Sequence, residues 1–504
     1  MTQLPASKLT QQTTAPLSPW WFIGCSVLYL LARVPGLMTI PLFNDEVIYL
    51  RWARDFPTLI WVSIRDGRLI HTLLLIPLVR LPIEPLLAGR LLSVLCGLGT
   101  LLLLRRLGNT LGHPVAGVIS AGCYALTPFA VLHERLILID SLQTVGVLAL
   151  LLASLHAATA PQLHTRHLLI IGAWLGLTAL VKASGLFFFL IPLVVFFMMT
   201  PTWDERTKRL GLLRRSLLVA LVPLALLAPF HFATALYGFV DTPFQQDRFT
   251  IIGDNVRLIL DWIIRYLPAP LLVPIGYALY GLPLPAPTRR LIRICITSAL
   301  LLILSYIFLS VRIYSRYLLP ITPLVLFAAA LALVEMWRSK QRVARLLAIA
   351  ALALSLGWGG MMAYLLTVNP VQAPLAADDY FQYVEGWTAG YGLDALMERI
   401  RQEQAAVGSL IVVNHARVRL VHVTTIYSFE HTPGIRLTEV ELERSAAAIQ
   451  QMDEFARQQP TYLVVDGEEY DLLKIATVFP AAHVVYYTQH PSGGMRFYLL
   501  RWEL

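Results

Sequence analysis

Two adjacent carboxylates, Asp45 and Glu46, stand in the stretch Phe43-Asn44-Asp45-Glu46-Val47-Ile48-Tyr49, directly after the first long apolar run. A carboxylate within hydrogen-bond reach of a hydroxyl takes its proton as the oxygen attacks. Residues 20–40 are long enough to cross a bilayer, so the pair should emerge at the membrane edge, poised for chemistry on a membrane-borne substrate. A helix cap is the plain alternative, since Asn44 and Asp45 are good N-cap types ahead of 46–56. The pair alone does not separate the two.

Other charges at the same level decide between them. His133-Glu134-Arg135-Leu136-Ile137-Leu138-Ile139-Asp140 lies between two apolar segments, where a charge left in lipid costs about 3 kcal/mol or more. In one unbroken helix Arg135 and Asp140 would point about 140° apart. A helix is therefore expected to begin between them, with Asp140 opening the next span and facing the bundle. Lys182, in Ala179-Leu180-Val181-Lys182-Ala183-Ser184-Gly185, is a lone cation between two short apolar runs. It either snorkels to the headgroups or sits in a dip within reach of a lipid phosphate. Arg312-Ile313-Tyr314-Ser315-Arg316-Tyr317-Leu318-Leu319-Pro320 sets two arginines and two tyrosines at a span end. They suit interfacial anchoring, and a guanidinium also grips a phosphate with paired hydrogen bonds. The stretch 237–266, with Asp241, Gln245, Asp247, Arg248, Asp254 and Arg257, reads as a polar lid.

The elements that must hold these residues are membrane helices. With 57% hydrophobic and 14% charged residues over 504 positions, the chain is far from a soluble protein, where charged residues make up about 25%. The expected fold is an α-helical polytopic membrane protein of about eleven transmembrane helices, near 20–40, 85–104, 113–132, 137–157, 168–182, 184–200, 216–233, 268–284, 293–311, 318–336 and 346–367. The +9 balance comes from Lys and Arg collected in alternate loops, around 105–106, 206–215, 289–293 and 338–345. This excludes nucleic acid as the reason for the charge and puts the N-terminal tail, 1–19, in the cytoplasm. Segments 41–84 and 234–267 are then outer loops.

From 368 to 504 the charge density rises. Helix-like runs at 393–406 and 439–457 and strand-like runs at 409–414, 461–466, 482–488 and 495–502 predict an extracytoplasmic α/β domain with a core of its own. The four cysteines all lie in apolar segments without metal-ligand spacing. Residues 20–40 read as a retained span, not a cleaved signal peptide.

The Asp-Glu pair after the first span, the Arg135-x4-Asp140 turn, the lone Lys182 between short spans and Arg316-Tyr-Leu-Leu-Pro entering a late span together resemble the GT-C membrane glycosyltransferases over residues 20–367. The nearest branch contains the protein O-mannosyltransferases and the bacterial aminoarabinose transferase of lipid A. The resemblance implies a sugar carried on a polyprenyl phosphate and passed, usually with inversion, to a hydroxyl acceptor at the outer face of the cytoplasmic membrane. It maps the catalytic acidic pair onto Asp45 and Glu46, with Asp45 as general base, and the second acidic position onto Asp140. Lys182, Arg316 and Arg135 become the donor-phosphate cations, and Tyr49, Tyr317 and His133 the substrate contacts. The C-terminal domain departs from the eukaryotic mannosyltransferases and is similar to bacterial tails, including Tyr383-x3-Trp387-x3-Tyr391-Gly392. Trp387, Tyr391 and His415 are expected at its surface as acceptor contacts.

The chemistry points the same way. The departing polyprenyl phosphate gains negative charge, so cations fixed beside it stabilise the transition state more than the ground state. Lys and Arg suffice for a monophosphate, and no cofactor is required. Asp45, Glu46 and Asp140 could still hold one divalent ion, for which oxygen ligands favour magnesium or manganese. The expected partners are a polyprenyl-phosphate-linked sugar, an acceptor that is glycan, glycolipid or protein, and the bilayer. The alternative class is a lipid or sugar transporter using the same outer-edge charges. Transport charges belong at the midplane, in paired interrupted helices, and the sequence shows neither.

Overall fold

Backbone groups in hydrocarbon have no water to bond, so long apolar runs must satisfy their hydrogen bonds internally. They do so as helices in this computed structural model, which describes residues 18–200, 202–240, 247–415, 419–442, 445–467, 477–491, 493 and 496–504. The chain forms two units. One runs to Leu37 and resumes over Trp52–Val368, and the other consists of Met38–Arg51 with Asn369–Leu504.

In the first unit, among the described residues, five helices are long and apolar enough to cross a membrane: Pro85–Thr110, Ile139–Thr159, Ala286–Leu309, Ser315–Arg338 and Arg342–Val368. A sixth candidate is a pair, Arg248–Tyr266 and Ala269–Gly281, bent by 92°. Ser315–Arg338 lies at the centre of the bundle, with Leu324 to Val334 buried without interruption.

Several expected spans are broken or shortened. The first is helical over Pro19–Leu31 only. The third divides at Thr127-Pro128 into Pro114–Leu126 and Pro128–His133, because proline cannot donate to the preceding turn and forces Thr127 into an extended conformation. The expected outer loop 234–267 is helical over much of its described length. The helix Trp203–Val240 covers its start and the helix Arg248–Tyr266 its second half. Ile251, Asn255, Ile259, Trp262 and Tyr266 are all buried and recur at helical spacing, a stripe that the polar residues between them obscure. Asp241 and Gln245 of the expected lid lie outside the described residues.

The second unit is an α/β fold. Its strands are β1 (Leu410–His415), β2 (Ile435–Val440), β3 (Thr461–Asp466), β4 (Ala482–Gln489) and β5 (Arg496–Trp502). Their order is β2-β1-β3-β5-β4, with β1 parallel to both neighbours and β5 antiparallel to β3 and β4. Strand alternation divides the core in two. Leu410, Val412, Tyr462 and Val464 face the helices Leu393–Val407 and Leu420–Phe429. Ile411, Val413, Leu463 and Val465 face Ser445–Gln458. Four of the five strands and the first helix stand where the sequence puts them. The run 439–457 is corrected: its first residues belong to β2, a half-exposed strand, and the helix begins at Ser445. Leu420–Phe429, rich in valine and threonine, is helical against that pattern because its apolar face packs on the sheet.

Residues 38–51 belong to this second unit. Val47 is fully buried in the core formed by Leu393, Leu396, Leu410 and Val464, and Leu42 and Ile48 pack against it.

Candidate active site

In the first unit three backbone irregularities bring charge together. The Pro128–His133 helix ends, the chain turns at 134–135, Leu138 is extended, and a new helix starts at Ile139, as expected. Asp140 therefore sits in a first helical turn, where exposed amides and the helix dipole favour a carboxylate. Its side chain is fully buried.

Lys182 is the extended residue between the helix Thr165–Val181 and the 3-10 segment Ala183–Phe189. Gly185 permits that reversal, since a Cβ there would lie 2.2 Å from the Thr178 carbonyl oxygen. The Lys182 ammonium is 2.8 Å from Asp140 Oδ1 and stands 3.4 Å from the centre of the Tyr317 ring. Tyr317 and Arg316 come from a second 3-10 segment, Ser315–Ile321. Arg316 Nε is 3.9 Å from Asp140 Oδ2, beyond hydrogen-bond length, and its guanidinium lies over the Tyr314 ring.

His133 joins the same group. Its Nδ1 lies 2.9 Å from the Phe129 carbonyl, so Nδ1 carries the proton and Nε2 accepts from the Ser315 hydroxyl at 3.0 Å. The histidine thus fixes the residue next to Arg316.

Asp140, Lys182, Arg316, Tyr317 and His133, drawn from three separate stretches of sequence, therefore form one cluster. Two cations oppose one carboxylate, leaving one positive charge in excess. Both Asp140 oxygens face cations, so a divalent metal would meet repulsion there, and the donor set does not fit a metal shared with Asp140.

Arg135 does not enter this cluster. Its guanidinium donates to the carbonyls of Ala32 and Gly36 at 3.0 Å each, and to Leu366 O and Thr367 Oγ1. It ties the C-terminal ends of the helices Pro19–Leu31 and Arg342–Val368 together inside the bundle. Its neighbour Glu134, which received no role from the sequence, is fully buried and accepts from Arg33 Nε at 2.8 Å, Tyr29 at 2.9 Å and Tyr124 at 2.7 Å.

In the second unit Asp45 is half-buried in the first turn of the helix Asn44–Arg54. Glu46 is buried, and its Oε2 accepts from the Phe43 amide at 2.9 Å, a capping bond. Tyr49 is buried. Of the aromatic candidates further on, Trp387 is half-buried with the Arg419 guanidinium 5.1 Å from its ring, and Tyr391 is half-buried. His415, expected at the surface, is buried as the last residue of β1, because the strand is covered on both faces.

A family model described as dolichyl-phosphate-mannose-protein mannosyltransferase matches residues 78–231, the part containing Asp140 and Lys182. No curated protein matches the chain in sequence. Among solved structures, the chain is similar to ArnT from Cupriavidus metallidurans in the apo state, with 15% identity over 96% of this chain and 97% of that one and a TM-score of 0.61. The same protein bound to undecaprenyl phosphate gives 15%, 96%, 98% and 0.60. The archaeal oligosaccharyltransferase AglB from Archaeoglobus fulgidus, in complex with an inhibitory peptide and a dolichol-phosphate, gives 12% identity over 95% of this chain and 74% of that one, with a TM-score of 0.51. The chain thus has the fold of the GT-C membrane glycosyltransferases, and its residues 78–231 match the mannosyltransferase family model.

Proposed function

We propose that this chain is a glycosyltransferase that moves a sugar from a polyprenyl-phosphate carrier to a hydroxyl acceptor at the outer face of the cytoplasmic membrane. The observation that carries this reading is the cluster in which buried Asp140 holds Lys182 at 2.8 Å, with Arg316 beside it. A sugar-linked polyprenyl phosphate is a diester with one negative charge, and it leaves as a monoester approaching two. Cations already fixed in place need not reorganise as that charge grows, which is how preorganised charge lowers a barrier. The lipid-phosphate ligands of the ArnT and AglB structures support a donor of this class.

In the proposed step the acceptor oxygen attacks the anomeric carbon from the side opposite the phosphate. Its proton passes to the Asp45 carboxylate, the new C–O bond forms, and the bond to phosphate oxygen breaks with its electron pair leaving on the lipid. The configuration inverts. Lys182 and Arg316 stabilise the departing phosphate, with Tyr317 and His133 fixing their orientation, and no step requires a metal. The C-terminal domain lies outside the membrane and the N-terminus inside, following the alternation of basic loops. The acceptor is a glycan, glycolipid or protein hydroxyl.

The test is transfer of labelled sugar from a panel of polyprenyl-phosphate sugars by the purified protein with total membrane extract as acceptor source, beside Asp45→Asn. Product that appears with wild type and vanishes in the variant supports the reading. A protein that consumes no donor but moves the lipid across vesicles would replace it with the transporter.

A further inference from the structure

Asp45 lies on a segment that could not hold a carboxylate in place unaided. The helix Asn44–Arg54 has eleven residues, and isolated helices of that length are marginal in water. Its position must come from what it is built into. Within the second unit that is the turn 383–392, which lies hundreds of residues away in sequence and carries the Tyr383-x3-Trp387-x3-Tyr391-Gly392 pattern.

Four contacts join the two segments. Phe43 pairs with Ala389 as an antiparallel bridge, and the Asn44 amide donates to the Thr388 carbonyl at 3.2 Å. The Phe43 ring meets Tyr383 edge-on, with centroids 4.9 Å apart. Gly390 lies so close that a Cβ there would stand 2.3 Å from the Leu42 carbonyl oxygen, a backbone atom that cannot rotate away. Further along, Val47 fills the domain core and Arg51 grips Glu430 with two hydrogen bonds, at 3.2 and 3.0 Å. The Glu46 carboxylate closes the near end by holding the Phe43 amide. Asp45 is thus bracketed by fixed residues on both sides.

We propose that the turn 383–392 of the C-terminal domain is the positioning device for the Asp45 carboxylate, so that this domain is a working part of the transfer step as well as any acceptor module. This rests on Asp45 acting as the base. Tyr383, Ala389 and Gly390 are positioning residues: they touch Phe43, Asn44 and Leu42, and act on the reaction through Asp45.

The experiment uses the full chain in lipid nanodiscs. It compares Gly390→Ala, Tyr383→Ala and Tyr383→Phe with wild type and Asp45→Asn, reading kcat, donor KM and amide hydrogen exchange over 42–47 and over β1 to β3. A misplacement near 1 Å costs roughly 10²-fold in rate. Gly390→Ala and Tyr383→Ala are therefore expected to lower kcat by about that factor, with donor KM unchanged and exchange faster over 42–47 alone. Tyr383→Phe, which keeps the ring against Phe43, is expected to rescue kcat. Wild-type kcat in both disruptive variants overturns the proposal, as does a loss of kcat accompanied by faster exchange throughout the sheet. Full activity in Asp45→Asn refutes the base assignment itself, a separate outcome.

Discussion

Removing the Lys182 ammonium tests whether the Asp140 cluster is held by charge. In Lys182→Met the aliphatic stem is roughly conserved, but the fully buried Asp140 loses its partner at 2.8 Å and keeps Arg316 at 3.9 Å. Stripping one partner from a buried ion pair costs about 3–5 kcal/mol, mostly because the remaining charge is left uncompensated. That is a large fraction of total stabilities near 5–15 kcal/mol. Asp140→Asn in the same chain removes the orphaned charge, so Lys182→Met/Asp140→Asn should regain about 2 kcal/mol over the single variant, a coupling of the size seen for residues in contact. Activity should not return, because the phosphate has lost a cation worth about 10²-fold or more in rate. The assay is a double-mutant cycle by denaturant titration in micelles, with sugar transfer measured in parallel. A Lys182→Met protein as stable as wild type, or a double variant no more stable than the single, would show that the pair carries no such energy and refute the reasoning.

Two further outcomes follow from the geometry. Glu134→Gln leaves Arg33 buried beside a neutral amide and should lower stability by about 3 kcal/mol or more, seen as a reduced melting temperature of the solubilised protein. His490 is buried, bonded through Nδ1 to the Val384 carbonyl at 2.8 Å, and burial holds its pKa below the ordinary 6.5. The folded state therefore binds its proton less readily than the unfolded state, and this contribution to stability is complete above pH 6.5 and is lost as the pH falls below it. Amide protection factors over 482–491 and 496–502, taken relative to the intrinsic exchange rate at each pH, should fall between pH 7 and pH 5 in wild type, and less so in His490→Phe.

How much of this was legible in the sequence depends on the kind of signal. Strands β3 and β4 stand out because β-branched and aromatic residues recur between turn residues, and the helix start before Asp140 followed from the angle between Arg135 and Asp140. The joint position of Asp140, Lys182 and Arg316 was reached through a family resemblance, since no local spacing relates residues so far apart. Arg135 and Glu134 mark the limit of such reading. A charged turn at a span end looks the same whether its partners are lipid phosphates or backbone carbonyls, and only the fold shows Arg135 spent on Ala32 and Gly36. The placement of 38–51 in the C-terminal unit was likewise invisible, because it depends on a bridge between Phe43 and Ala389 that neither segment announces.

The measurement closest to the central claim is direct binding of a polyprenyl monophosphate to the purified protein, against the matching polyprenyl alcohol, in wild type and Arg316→Ala. The phosphate should bind and the alcohol should not compete. Loss of a charge-assisted hydrogen bond of about 1.5–3 kcal/mol should weaken phosphate binding in Arg316→Ala roughly 10- to 100-fold. Equal binding of phosphate and alcohol, or an Arg316→Ala protein that binds the phosphate as wild type does, would contradict the assignment of this cluster as a lipid-phosphate site.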